Sequence, residues 1–159
     1  RSTAAKRAIR NAPMDIQTMS YERVMADHDR IAQLCRDLLT GLDADDAALE
    51  TLMPDFSRLS IAIETLASFE LECLYPRLLA IEGEFAQRAA ARFREEIEAI
   101  RNAKTNFMED WSIDCIRADP DEFRAEARRY LDKILLQAST EERAIYPFAL
   151  KVGALLLRD

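Results

Sequence analysis

The sequence predicts an all-α protein, an antiparallel up-down four-helix bundle, on three observations. Only 3 Gly and 5 Pro stand among 159 residues, too few for the turns of a sandwich or a barrel. Ala, Leu, Glu, Arg and Ile dominate, a composition that favours helix. Four long segments, roughly 15–41, 47–80, 84–117 and 120–152, each carry an apolar stripe at helical spacing. A chain of this length fits one domain of roughly 100–200 residues and can bury a core without disulfides.

The first segment presents Val24, Met25, His28, Ile31, Ala32, Cys35, Leu38 and Leu39 on one face, and Gly41 with the acidic run after it marks its end. In the second, Leu59, Ala62, Ile63, Leu66, Phe69, Glu70, Cys73 and Leu74 share a face. Pro54 and Pro76 should bend it or shorten it at its ends, because proline lacks the N–H an interior helical position needs. Gly83 then breaks the chain before Phe85, Ala86, Ala89, Ala90, Phe93, Ile97, Ile100, Lys104, Phe107 and Trp111. Asp119-Pro120 reads as an N-cap followed by a helix-starting proline. The fourth stripe is Phe123, Ala127, Tyr130, Leu131, Ile134, Gln137, Ala138, Glu141, Ile145 and Phe148, with Pro147 interrupting near its end.

Charge narrows the partners. A net charge of −7 sets the bundle against nucleic acid and anionic membranes. Residues 1–14 read instead as a basic flexible arm holding Arg1, Lys6, Arg7 and Arg10, and residues 15–159 as the bundle. No run approaches the roughly 18 apolar residues of a membrane span, and no secretory-type stretch is seen, so a cytoplasmic location is expected. Cys35, Cys73 and Cys115 are odd in number and widely spaced, which suits reduced thiols rather than a disulfide framework or a zinc finger.

Ionisable residues fall on stripes that should be dry. His28, Glu70 and Glu141 each take a core-facing position, one on each of three helices. A buried carboxylate without a partner is costly or becomes neutral, so their convergence suggests a metal site or a hydrogen-bonded relic of one, joined by Gln137. The cysteines fall in other layers. Lys104 either reaches a carboxylate in place of the metal's charge or lays its stem on apolar surface with the ammonium in water.

Glu70-Leu-Glu-Cys-Leu-Tyr-Pro76 and Glu141-Glu-Arg-Ala-Ile-Tyr-Pro147 share one pattern, with Glu five residues before the Tyr of a Tyr-Pro pair. Together with His28-Asp29-Arg30-Ile31 and Glu95-Glu96-Ile97, they resemble the hemerythrin-like HHE cation-binding family over about residues 20–150. In that family, four helices supply histidines and two bridging glutamates to a non-haem di-iron centre. The resemblance implies that His28, Glu70 and Glu141 remain as metal ligands, vestigial or weak, while Leu66, Ile97 and Gln137 occupy the family's His positions. It also implies oxygen or redox sensing, iron handling or repair after nitrosative stress for members with the full centre.

Two readings stay open. In the first, the chain has lost the di-iron centre, needs no cofactor, and acts as a non-enzymatic binding or regulatory module. In the second, His28, Glu70 and Glu141 hold a single Fe, Mn or Zn ion for oxygen, redox or nitric-oxide sensing or iron handling. No Ser–His–Asp or Cys–His arrangement and no phosphate-binding Gly loop argues for catalysis. A homodimer or a protein partner is the expected company, through apolar residues near the helix ends: Met14, Met19, Trp111 and Leu155 to Leu157.

Overall fold

The computed structural model describes residues 20–44 and 48–157. Helix α1 spans Tyr21–Asp43, and a 3₁₀ turn at Leu49–Leu52 leads into α2, Met53–Phe69. A π turn, Glu70–Leu74, joins α2 without a break to α3, Tyr75–Leu79. Helix α4 is Glu84–Asp110, α5 is Ile113–Ala118 and α6 is Pro120–Thr140. A second π turn, Glu141–Ile145, carries α6 into α7, Tyr146–Lys151. Helix α1 packs against α2 and α6, and α4 closes the square against the same two. This is the four-helix bundle that the stripes predict, with α2–α3 and α6–α7 each acting as one rod.

The helix starts are specified locally. Ser20 caps α1 by accepting from the Arg23 N–H, and Asp119 caps α6 by accepting from the Glu122 N–H at 3.1 Å. Gly83, at φ +126°, begins α4 with a backbone conformation that a side chain would strain. Pro54 lies in the first turn of α2, where no donor is lost, so it starts the helix instead of interrupting it.

Several expectations are corrected. Gly41 does not end the first helix, which runs on to Asp43; a Cβ there would lie 2.6 Å from Leu52 Cδ2, so glycine lets the 3₁₀ turn press against α1. The third helix does not reach 117. It stops at Asp110, and Ser112 caps the separate helix α5. Phe85, expected in the core, is 89% exposed because it precedes the turn at which α4 meets its neighbours. Trp111 and Leu155, expected at the surface for a partner, are buried, while Leu156 and Leu157 are exposed. The basic arm and the expected contacts Met14 and Met19 lie outside the described residues.

Pro76 and Pro147 neither end nor visibly break their rods. Each follows a π turn, whose i→i+5 hydrogen bonds widen the helix where a proline could not complete the i→i+4 ladder. Among the described residues no strand forms, and only Ser20 and Leu156 make a parallel bridge. Within the same residues, no helix is long and apolar enough to cross a membrane.

Candidate functional site

The π turns decide which side chains meet. In an α-helix, residues five apart are turned about 140° from each other, so Glu141 and Tyr146 would face different ways. Here the Tyr146 N–H donates directly to the Glu141 carbonyl, and the Tyr75 N–H to that of Glu70, so each tyrosine returns to the face of its glutamate. Both tyrosines thereby enter the core, and each is fully buried.

His28 of α1 and the two glutamates do converge, as the stripes predict. Each is at most 2% exposed. Each offers one ligand atom, and those three atoms lie within 4.8 Å of one another. His28 Nε2 is 3.0 Å from Glu141 Oε2. Gln137 joins them, its amide Nε2 donating to Glu141 Oε1 at 2.8 Å. Neither the cysteines nor Lys104 enters the cluster. Lys104 stays buried on α4 and donates to Glu64 Oε2 at 2.6 Å, beside Arg101, so it compensates a different carboxylate.

Tyr146 is the member that the stripe did not show. Its hydroxyl donates to Glu70 Oε1, lies 3.1 Å from Glu141 Oε2 and 2.5 Å from His28 Nε2, whose tautomer sets which of the two donates. One phenol oxygen thus touches all three candidate ligands. The repeated Glu-x-x-x-x-Tyr-Pro pattern was the available signal, but helical periodicity alone turns the tyrosine away from its glutamate.

The electrostatics follow from burial. Loss of hydration raises the Glu70 carboxyl well above its usual value, the neighbouring Glu141 carboxyl raises it further, and the Tyr146 hydroxyl only partly offsets both. Burial first, then the two carboxyls, likewise push the Tyr146 phenol upward, so it stays a donor. Some polar atoms remain short of partners. Among the described residues, Tyr75 Oη and Asp27 Oδ2 are buried without a hydrogen bond. His28 Nδ1 sits 3.4 Å from Glu142 Oε1 without hydrogen-bond alignment.

Beside the cluster is a hollow of about 40 Å³, walled by Ile63, Leu66, Ala67, Ile97, Ile100 and Ile134, with Gln137 and the cluster at its polar side. The chain matches the hemerythrin HHE cation binding domain over residues 19–149. It belongs to that family. No match was found among curated proteins or among solved structures.

The family's metal chemistry can be tested against this hemerythrin domain's own donors. Two ions about 3.5–4 Å apart each need several ligands. Leu66 and Ile97 offer hydrocarbon, and among the described residues one group, His28, Glu70 and Glu141, brings three ligand atoms together, fewer donors than two ions need. A single ion with ligands at about 2.0–2.2 Å holds donor atoms roughly 3–4 Å apart, a spacing to which His28, Glu70 and Glu141 can close. Tyr146 would have to give up that centre or join it.

Proposed function

We propose that this hemerythrin domain works without a metal centre, as a non-enzymatic binding or regulatory module. One observation carries the reading: the Tyr146 hydroxyl holds His28, Glu70 and Glu141 together from the point a cation would take. Hydrocarbon at Leu66 and Ile97 supports it, since those walls supply no lone pair. The module's partner is a protein or a second copy of the chain, with exposed Phe85, Leu156 and Leu157 offering apolar contact. The free thiols of Cys35, Cys73 and Cys115 suit a reducing cytoplasm.

The test is elemental analysis of protein purified without chelators, repeated after anaerobic addition of Fe(II), Mn(II) and Zn(II). Fewer than about one ion per ten chains is expected. A second reading is favoured by the mutual reach of the three ligand atoms: one Fe, Mn or Zn ion held by His28, Glu70 and Glu141, serving oxygen, redox or nitric-oxide sensing or iron handling. About one ion per chain, lost in His28→Ala, would replace the first reading with this one.

A further inference from the structure

Leu66, Ile97 and Gln137, the positions that the resemblance sets against the family's histidines, all line the same hollow. Its volume of about 40 Å³ admits about three water-sized spheres at roughly 10–15 Å³ each. Water suits only one end of it. A buried water needs two to four polar partners, and Ile63, Leu66, Ala67, Ile97, Ile100 and Ile134 give none. The polar end is half-buried: Gln137 Nε2 donates to Glu141, while its Oε1 accepts no hydrogen bond among the described residues and stays open to a hydroxyl or to water. A charged organic body would lose its hydration against mostly hydrocarbon walls, while His28, Glu70 and Glu141 are already engaged with Tyr146, so a neutral occupant is favoured.

We propose that this hollow is a binding site for a neutral molecule of about three non-hydrogen atoms, its apolar body against Leu66 and Ile97 and a hydroxyl-type group at the Gln137 end. The proposal rests on the metal-free reading, because an ion at the cluster would bring water and charge into the same space. It gives the module a small ligand to report, in addition to a protein partner.

The probe is ethanol, titrated into the metal-free protein and followed by the isoleucine methyl signals in carbon–proton NMR spectra. Saturable shifts are expected at Ile97 and Ile134, with Ile116, which does not line the hollow, unmoved. Half-saturation should fall at about millimolar concentration or weaker, the limit for so few atoms. Ethylammonium and acetate, of similar size but charged, should give no saturable shift. Ala67→Leu fills the space and should abolish the ethanol response; if that variant fails to fold, Ala138→Val makes the same test from α6, where Ala138 also lines the hollow. Absent or non-saturable shifts, equal shifts with the ions, or an unchanged response in the filled variant would overturn the proposal. Metal content measured on the same sample separates the two ideas. A metal-free protein that ignores ethanol loses only this inference, whereas a tightly held ion removes the reading beneath it.

Discussion

Where α1 ends and α2 begins, the core is aromatic and dry: Phe107 stacks on Tyr130 at 4.6 Å, Phe56 lies 5.1 Å from Phe107, and Phe123 meets Trp111 edge-on at 5.2 Å. Even the indole N–H is satisfied, donating to Glu126 Oε2. Where α1 begins and α2 ends, the same bundle buries two carboxyls, an imidazole and a phenol, leaves Tyr75 Oη without a partner among the described residues and keeps a hollow. The first half maximises contact; the second retains unsatisfied polar atoms and unfilled volume. Stability is thus concentrated away from the candidate site, which is where strain and loose packing are expected to collect.

The difference can be tested by substitution. Phe107→Ala should have the largest effect, lowering stability by about 3–5 kcal/mol in urea or thermal unfolding, because it opens the dry half. A loss below about 1 kcal/mol would mean that the aromatic half is not the stable one. Tyr146→Phe comes next, at about 1–3 kcal/mol, since it takes the bridging hydroxyl from three buried groups. Unchanged stability in that variant would remove the phenol from the centre of the cluster.

Glu70→Gln with Glu141→Gln should have the opposite sign, leaving stability equal or higher by about 1 kcal/mol at neutral pH. Glu70 carries the pH dependence. Its folded carboxyl is raised above the ordinary 4.5, so below that pH both states are protonated and no penalty exists. As pH rises above it, the unfolded chain ionises first and the native state is penalised, so the variant's advantage should grow with pH. A large loss of thermal stability would instead point to a charged partner or a metal. The smallest effect belongs to Glu64, depressed to about 2 by Lys104 and Arg101. Its contribution is present above about 4.5 and fades as pH falls toward 2. Because Glu64 is 37% exposed, Glu64→Gln at neutral pH should cost under about 1 kcal/mol, read from urea midpoints.

The dry half was legible from the sequence because α-periodicity holds throughout it: Phe56 apart, its aromatic residues Phe107, Trp111, Phe123 and Tyr130 all fall on the stripes. The same periodicity placed His28, Glu70, Gln137 and Glu141 correctly. It failed at Tyr75 and Tyr146 for a geometric reason, because a helix widened to i→i+5 bonds shifts the phase by which inward residues are counted. Phe85, and the second placing of Trp111 as a surface contact, failed differently. Both lie at helix ends, where burial depends on the neighbouring rod and not on the residue's own spacing. The hollow had no sequence signal beyond the apolar Leu66 and Ile97 standing on the stripes beside Gln137.

The bridge between Ser20 and Leu156, with the Tyr21 N–H donating to the Leu156 carbonyl at 2.9 Å, brings the two ends of the described chain side by side. The path of the backbone is therefore almost a closed ring, and the order in which its four rods are connected is separable from the way they pack. A circular permutant that joins these ends with a short peptide and opens between α3 and α4, at Glu82–Gly83, would keep every interhelical contact while changing which rod is synthesised first. In such a permutant α4 is made first and α2–α3 last, so the α6–α7 rod precedes the α2–α3 rod, the reverse of the native order, which separates the assembly of the polar cluster from the chain's native direction of growth.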